Sequence, residues 1–257
     1  MKVVLFCGGL GTRIRDVSDK LPKPLVTIGN MPILWHVMKY YAYFGHKEFI
    51  LCLGYKGDEI KKYFLSYDQC LSSNFTLSWG GKQVHQKDSD ISDWSITFVE
   101  TGPKTNVGQR LKAVEEYLID EETFLVNYTD ALTDLFLPDL IEKFQKSGKT
   151  GCFLCVKPSQ SFHVVSFGPE NRVEKVEHVR KSNIVINGGY FIFKNEIFQY
   201  IRNNDDLMDQ PFARLIEENQ LMGYRYDKFW YCMDTFKEHQ ELNDMLENGI
   251  APWEVWK

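Results

Sequence analysis

Nowhere among its 257 residues does the chain carry 18 consecutive apolar ones, roughly the minimum for a membrane-spanning helix. It also lacks a basic excess. A formal net charge of −5 gives a phosphate backbone or an anionic lipid surface no electrostatic reason to bind, so neither nucleic acid nor membrane is an expected partner. A secretory leader is not recognisable, because Lys2 precedes too short an apolar core and glycines follow it. The expected location is the cytoplasm, where the six cysteines would stay reduced. Cys152 and Cys155 form a single C-x-x-C. With no second pair, and with strand positions i and i+3 on opposite faces, they are not expected to hold zinc. Internal repeats and low-complexity linkers are absent too.

What is present is an ordinary globular composition, 44% hydrophobic and 25% charged. A chain of this size buries roughly three quarters of its unfolded surface and needs no disulfide or structural metal. Short apolar runs, at 3–7, 48–55, 95–100 and 123–130, alternate with amphipathic stretches at 32–45, 58–67, 107–118 and 137–148. That alternation predicts βαβ units and an α/β fold with a mostly parallel central sheet flanked by helices. The polar stretch 68–94 reads as an insertion. Beyond residue 150 the chain becomes strand-rich, with a PENR hairpin turn and short helices near 195–201, 211–219 and 237–246. One domain over 1–257 is expected, with a ligand-binding half (1–150) and a smaller strand-rich extension (151–257).

The first apolar run stops at a glycine cluster. Gly8, Gly9 and Gly11 would let backbone N–H groups approach phosphate oxygens with no Cβ in the way. Arg13 and Lys23 supply cations for a polyphosphate, and Pro22 and Pro24 stiffen the chain on either side of Lys23. GGLGTR lacks the Lys-Ser/Thr ending of a P-loop and is not G-x-G-x-x-G. In an open parallel sheet, ligands bind beyond the carboxyl ends of the strands, which is where this loop must lie. Asp130 ends the strand TFLVNYTD on the same edge. Taken alone, an aspartate there is as readily a turn cap as a metal ligand. Asp134 is its nearest competitor, and Asp139 fits the first turn of the following helix.

GGLGTR followed by LPKPL resembles the signature of the sugar-1-phosphate nucleotidylyltransferases. IGNMPILWHVMKYY, INGGYFIF, FWYCMDT and the closing APWEVW extend the resemblance over nearly the whole chain, and toward the cytidylyltransferases of that family. The resemblance implies a Rossmann-like nucleotide-diphospho-sugar transferase fold, CTP as donor and Mg²⁺ as cofactor, with Mn²⁺ as the substitute ion. It implies Arg13, Lys23 and Asp130 as catalytic residues. Phe6, Gly8, Gly9, Gly11, Thr12, Thr105 and Arg110 join those three at the nucleotide, Arg110 and Thr105 reading the pyrimidine edge. Asp130 and Asp234 would hold the metal. Phe162, Glu177, His178, Asn187 and Gly188 would hold the acceptor, a phosphorylated small molecule whose nearest family example is glucose 1-phosphate. A homo-oligomer is expected.

The chain departs from the family at three places. Thr129-Asp130-Ala131 stands where the family has Gly-Asp-Gly, Phe162-His163 where it has Phe-Gly, and Glu177-His178-Val179 where it has Glu-Lys-Pro. The motif lysine normally meets the acceptor phosphate. His178 would do so protonated or as a neutral donor, unless Arg180 or Lys181 substitutes. These changes leave room for another acceptor, a different sugar phosphate or a non-sugar such as phosphoglutamine or phosphocholine, destined for a surface polysaccharide such as a capsule. A non-catalytic nucleotide-binding regulatory subunit is the alternative of another class.

Overall fold

The computed structural model describes residues 1–9, 21–67, 75–81, 83–86 and 91–257. Strand β1 (Val3–Phe6) is buried throughout. A short hairpin, β2 (Thr27–Ile28) and β3 (Met31–Pro32), leads into α1 (Ile33–Tyr43). Pro32 stands at the N-cap of α1, where its missing N–H is not needed. Strand β4 (Glu48–Leu53) and helix α2 (Gly57–Leu65) follow. Within the polar 68–94 segment, β5 (Phe75–Ser78) pairs with β6 (Gln83–Gln86). Next come β7 (Ser95–Glu100), α3 (Val107–Lys112), β8 (Thr123–Asn127), β9 (Ala131–Thr133) and α4 (Leu137–Ser147). The later half contributes β10 (Gly151–Val156), β11 (His163–Phe167), β12 (Val173–His178) and β13 (Ile186–Lys194). It ends with α5 (Ile197–Tyr200), α6 (Gln210–Glu217), β14 (Leu221–Tyr226), β15 (Trp230–Cys232) and α7 (Phe236–Glu247).

The helix expected over 107–118 stops at Lys112 and resumes as a tighter turn, Glu115–Leu118, which keeps Leu111, Val114 and Leu118 in one core. The strand expected to reach residue 130 ends at Asn127. There the Asn127 side chain accepts the Thr129 N–H at 2.6 Å and turns the chain.

Seven strands form the central sheet in the order β14-β10-β13-β8-β1-β4-β7. Strands β8, β1, β4 and β7 are mutually parallel, and β10 is parallel to β14. Strand β13 runs antiparallel to both of its neighbours, β8 and β10. Strands from both halves of the chain therefore share one sheet. From β1 the chain steps outward to β4 and β7, then returns to place β8 on the other side of β1. Such a reversal opens a crevice at the carboxyl ends of the two strands. Here those ends lead into Cys7-Gly8-Gly9 and Tyr128-Thr129-Asp130.

Each face of the sheet carries its own core, and the two-residue period of β1 divides between them. Val3 and Leu5 pack with α1 and α4 residues such as Val37, Tyr41 and Leu140. Val4 and Phe6 pack with Leu111, Phe191 and Phe212 on the other face. Burying one such side chain contributes about 1.5–3 kcal/mol, and emptying its space costs more than that transfer alone. Leu5 is fully buried. Leu5→Ala should therefore lower unfolding stability by about 2–5 kcal/mol, read from the shift in urea midpoint at unchanged slope.

Candidate active site

Two carboxylates from distant parts of the chain meet because a small ladder joins them. Strand β9 begins at the residue after Asp130, β15 ends two residues before Asp234, and the two strands pair antiparallel with Cys232 opposite Ala131. The ladder extends one step further, as the Met233 N–H donates to the Asp130 carbonyl at 2.8 Å. Asp234 is then fixed from behind. Thr235 caps α7 in a capping box with Glu238, whose carboxylate accepts the N–H groups of Asp234 (2.7 Å) and Thr235 (2.9 Å). The amino end of α7 also favours negative charge beside it.

Lys23 completes the cluster. It opens a single 3-10 turn between Pro22 and Pro24, with Pro24 and Leu25 buried. Its Nζ donates to Asp130 Oδ2 at 2.9 Å and to Asp234 Oδ1 at 2.6 Å. Burial disfavours the ammonium, but the carboxylates of Asp130 and Asp234 outweigh burial and raise its pKa, so the lysine stays charged at any physiological pH. Cys232 shares this space, and burial, with Asp130 adding to it, pushes its thiol well above the usual range. Oxygens of the two aspartates and Cys232 Sγ lie within 4.8 Å of one another. A Mg²⁺ ion binds oxygen at about 2.1 Å, so oxygens about 4.2 Å apart can share one. The two carboxylates are therefore near the range in which they could hold one ion, and as hard donors they suit Mg²⁺ or Mn²⁺.

Behind the carboxylates lies Thr129, buried and at φ 64°. For a β-branched residue the left-handed region costs about 1–3 kcal/mol. Hydrogen bonds offset that strain. The Thr129 hydroxyl shares its proton between the carbonyls of Phe6 (2.8 Å) and Tyr128 (2.6 Å), in addition to the N–H contact with Asn127. Thr129 thus ties the end of β1 to the end of β8. Ala131 shows no such strain and simply starts β9.

The expected nucleotide residues divide. Gly11, Thr12 and Arg13 lie outside the described residues. Gly9 is exposed, and a Cβ there would meet nothing. Gly8 is a glycine for a different reason: the Arg110 guanidinium fills the space its side chain would need, and does the same at Gly54. Arg110 is almost wholly buried. It donates to the carbonyls of Leu53 (3.1 Å) and Gly8 (3.1 Å) and to Thr101 Oγ1 (2.6 Å). These groups sit at the ends of β1, β4 and β7, so three of its five donors brace the sheet edge. Thr105 donates to the Thr101 carbonyl in the same turn. The Phe6 ring belongs to the core, with only its carbonyl facing Thr129.

Of the residues expected at the acceptor, Phe162 and His178 line a separate cavity of about 600 Å³, together with Ser159, Arg180, Thr235 and Lys237. His178 Nδ1 accepts the Arg180 N–H at 3.2 Å, which leaves Nε2 as the nitrogen with the proton in neutral imidazole. Of the two candidate substitutes for the motif lysine, Arg180 lines this cavity, and its guanidinium is anchored on the Ser159 carbonyl at 3.1 Å. Glu177 instead pairs with Lys175 at 2.7 Å. Asn187 and Gly188 lie on β13 beside the end of β8. The Asn187 side chain accepts the Gly189 N–H, and the Gly188 carbonyl accepts from Trp230 Nε1. Asp134 is occupied by Tyr226 and the Phe229 N–H, and Asp139 sits in the first turn of α4. Sequence reading missed Cys232. Its place two residues before Asp234 in a short strand was the available signal, since alternate strand positions share a face.

The Thr129 arrangement separates strain from bonding. Thr129→Val keeps the strained backbone and loses the hydroxyl, and should destabilise the fold by about 2–3 kcal/mol. Thr129→Gly removes both and should fall within about 1 kcal/mol of the parent. Urea denaturation of the two variants checks the order.

The chain matches the nucleotidyl transferase family over residues 2–248. It is 38% identical to a probable glucose-1-phosphate cytidylyltransferase of Bacillus subtilis over 258 residues, covering all of both chains. It is 36% identical to the glucose-1-phosphate cytidylyltransferase of Salmonella typhimurium over 259 residues, again covering both completely. Among solved structures, an apo UDP-glucose pyrophosphorylase superposes with a TM-score of 0.71 at 16% identity, covering 97% of this chain and 99% of that one. A putative glucose-1-phosphate thymidylyltransferase from Bacillus anthracis gives 0.67 at 16% identity, over 95% and 94%. The structural likenesses speak for the fold, and the end-to-end sequence likeness goes further: the chain belongs to the nucleotidyl transferase family and is a sugar-1-phosphate nucleotidylyltransferase.

Proposed function

We propose that this enzyme transfers the cytidylyl group of CTP to the phosphate of a small-molecule acceptor, with glucose 1-phosphate as first candidate, and releases pyrophosphate. The observation that carries the reading is the meeting of Lys23, Asp130 and Asp234 at the carboxyl edge of β1 and β8. Full-length relatives named as glucose-1-phosphate cytidylyltransferases support CTP and the sugar phosphate.

The acceptor phosphate is itself the nucleophile. A phosphomonoester has its second pKa near about 6, so it is largely dianionic at neutral pH and needs no general base. Its oxygen attacks the α-phosphorus in line, the bond to the β-phosphate oxygen breaks, and pyrophosphate leaves with that electron pair. Catalysis then consists of positioning and charge stabilisation, with no covalent enzyme intermediate. Asp130 and Asp234 would hold Mg²⁺ or Mn²⁺, which when bound offsets negative charge at the reacting phosphate. Lys23 and Arg13 serve the triphosphate, and the backbone at Gly8 and Gly9 approaches it closely.

A second reading concerns the acceptor alone. His178 stands where the family motif has a lysine, with its Nδ1 taken by the Arg180 N–H, and Arg180 brings a guanidinium into the same cavity. That combination favours an acceptor shaped differently from glucose 1-phosphate, another sugar phosphate or a non-sugar such as phosphoglutamine or phosphocholine.

Pyrophosphate release from CTP over a panel of these phosphates tests both. Turnover with none of them would overturn the assignment, and dominance of glucose 1-phosphate would remove the second reading. Arg180→Ala should raise the acceptor KM by about tenfold or more, the worth of a charge-assisted hydrogen bond, with the KM for CTP within about twofold.

A further inference from the structure

We propose that Lys23 is a stand-in cation that holds the metal position between Asp130 and Asp234 until nucleotide arrives, so that metal and triphosphate enter as a coupled event. This inference rests on the metal-site reading above. Lys23 Nζ bonds one oxygen from each aspartate, Asp130 Oδ2 and Asp234 Oδ1, at 2.9 and 2.6 Å. These are the carboxylates that would hold the divalent ion, so ion and ammonium would compete for one place. Two cations do not share that place at such separations.

The geometry also supplies the reason for the arrangement. Asp130 and Asp234 are each largely withdrawn from solvent, with side-chain exposures of 28% and 24%. They are held together by backbone pairing rather than by attraction. Left alone, their charges would repel in a medium that screens poorly. The Lys23 ammonium neutralises one of the two. It reaches them on a four-carbon stem from a turn clamped by Pro22 and Pro24, so the charged end moves while the backbone stays in place. A triphosphate gives that ammonium an alternative partner, and the vacated carboxylates then take the divalent ion. Free metal alone has to evict a bonded lysine that has nowhere better to go, and should bind weakly.

The test is Mn²⁺ binding to the full-length protein without nucleotide, followed by loss of the free-ion paramagnetic resonance signal. Lys23→Met should bind Mn²⁺ at least about tenfold more tightly than the parent, equivalent to about 1.4 kcal/mol. Lys23→Arg, which retains a cation, should remain as weak as the parent. The added affinity of Lys23→Met should vanish when Asp130→Asn is combined with it. Should Lys23→Met prove unstable in thermal melts, Lys23→Gln takes its place with the same expectation. A neutral variant that binds Mn²⁺ no better than the parent overturns the stand-in role, as does tight binding that survives Asp130→Asn. Pyrophosphate release by the parent protein separates this from the proposed activity. Metal-dependent release with unchanged Mn²⁺ affinity sinks only the stand-in role, and tighter binding without release sinks only the activity.

Discussion

A single backbone hydrogen bond, from the Met233 N–H to the Asp130 carbonyl, closes the ladder on which the site depends. Two carboxylates do not approach one another willingly. Here the approach is imposed by β9 and β15, whose pairing leaves the aspartates no other place. Glu238 reinforces it by taking the N–H groups at the start of α7. The electrostatic strain falls on side chains, while hydrogen-bonded backbone keeps the geometry. Lys23 then relieves part of that strain with its own charge.

The sheet supplies the second constraint. Because β1 lies between β4 and β8, its carboxyl end opens into the crevice where the chain reverses direction across the sheet. Two buried side chains keep the neighbouring strand ends aligned there. Thr129 binds the end of β8 to Phe6 at the end of β1, and Arg110 draws together groups following β1, β4 and β7. Both are polar groups in a low-dielectric setting, where satisfied hydrogen bonds rigidify and unsatisfied ones are destabilising. Among the described residues, the carboxyl edge of the sheet is thus braced by these hydrogen bonds to backbone carbonyls.

Much of this was legible beforehand, for identifiable reasons. Lys23 stands out because prolines flank it, and Asp130 because it follows an unbroken apolar strand. The α/β alternation follows from hydrophobic period and glycine punctuation. The link between Asp130 and Asp234 was not available from spacing, since a two-strand ladder between distant segments leaves no local pattern; it came from family resemblance. Asp134, the nearest competitor of Asp130 in the sequence, is occupied by Tyr226 and the Phe229 N–H. The left-handed turn at Thr129 was hidden by residue type, because threonine ordinarily avoids that region. Arg110 was assigned to a base edge, yet most of its donors serve the framework, a role set by the absence of side chains on two glycines remote from it in sequence.

That last arrangement joins the histories of three positions. The guanidinium of Arg110 lies where side chains at Gly8 and Gly54 would project. A larger residue at either glycine collides with the arginine, and a smaller residue at 110 leaves a hollow lined by the carbonyls it once satisfied. A change at any one of the three therefore calls for a compensating change at another, because one guanidinium fills the space beside both glycines.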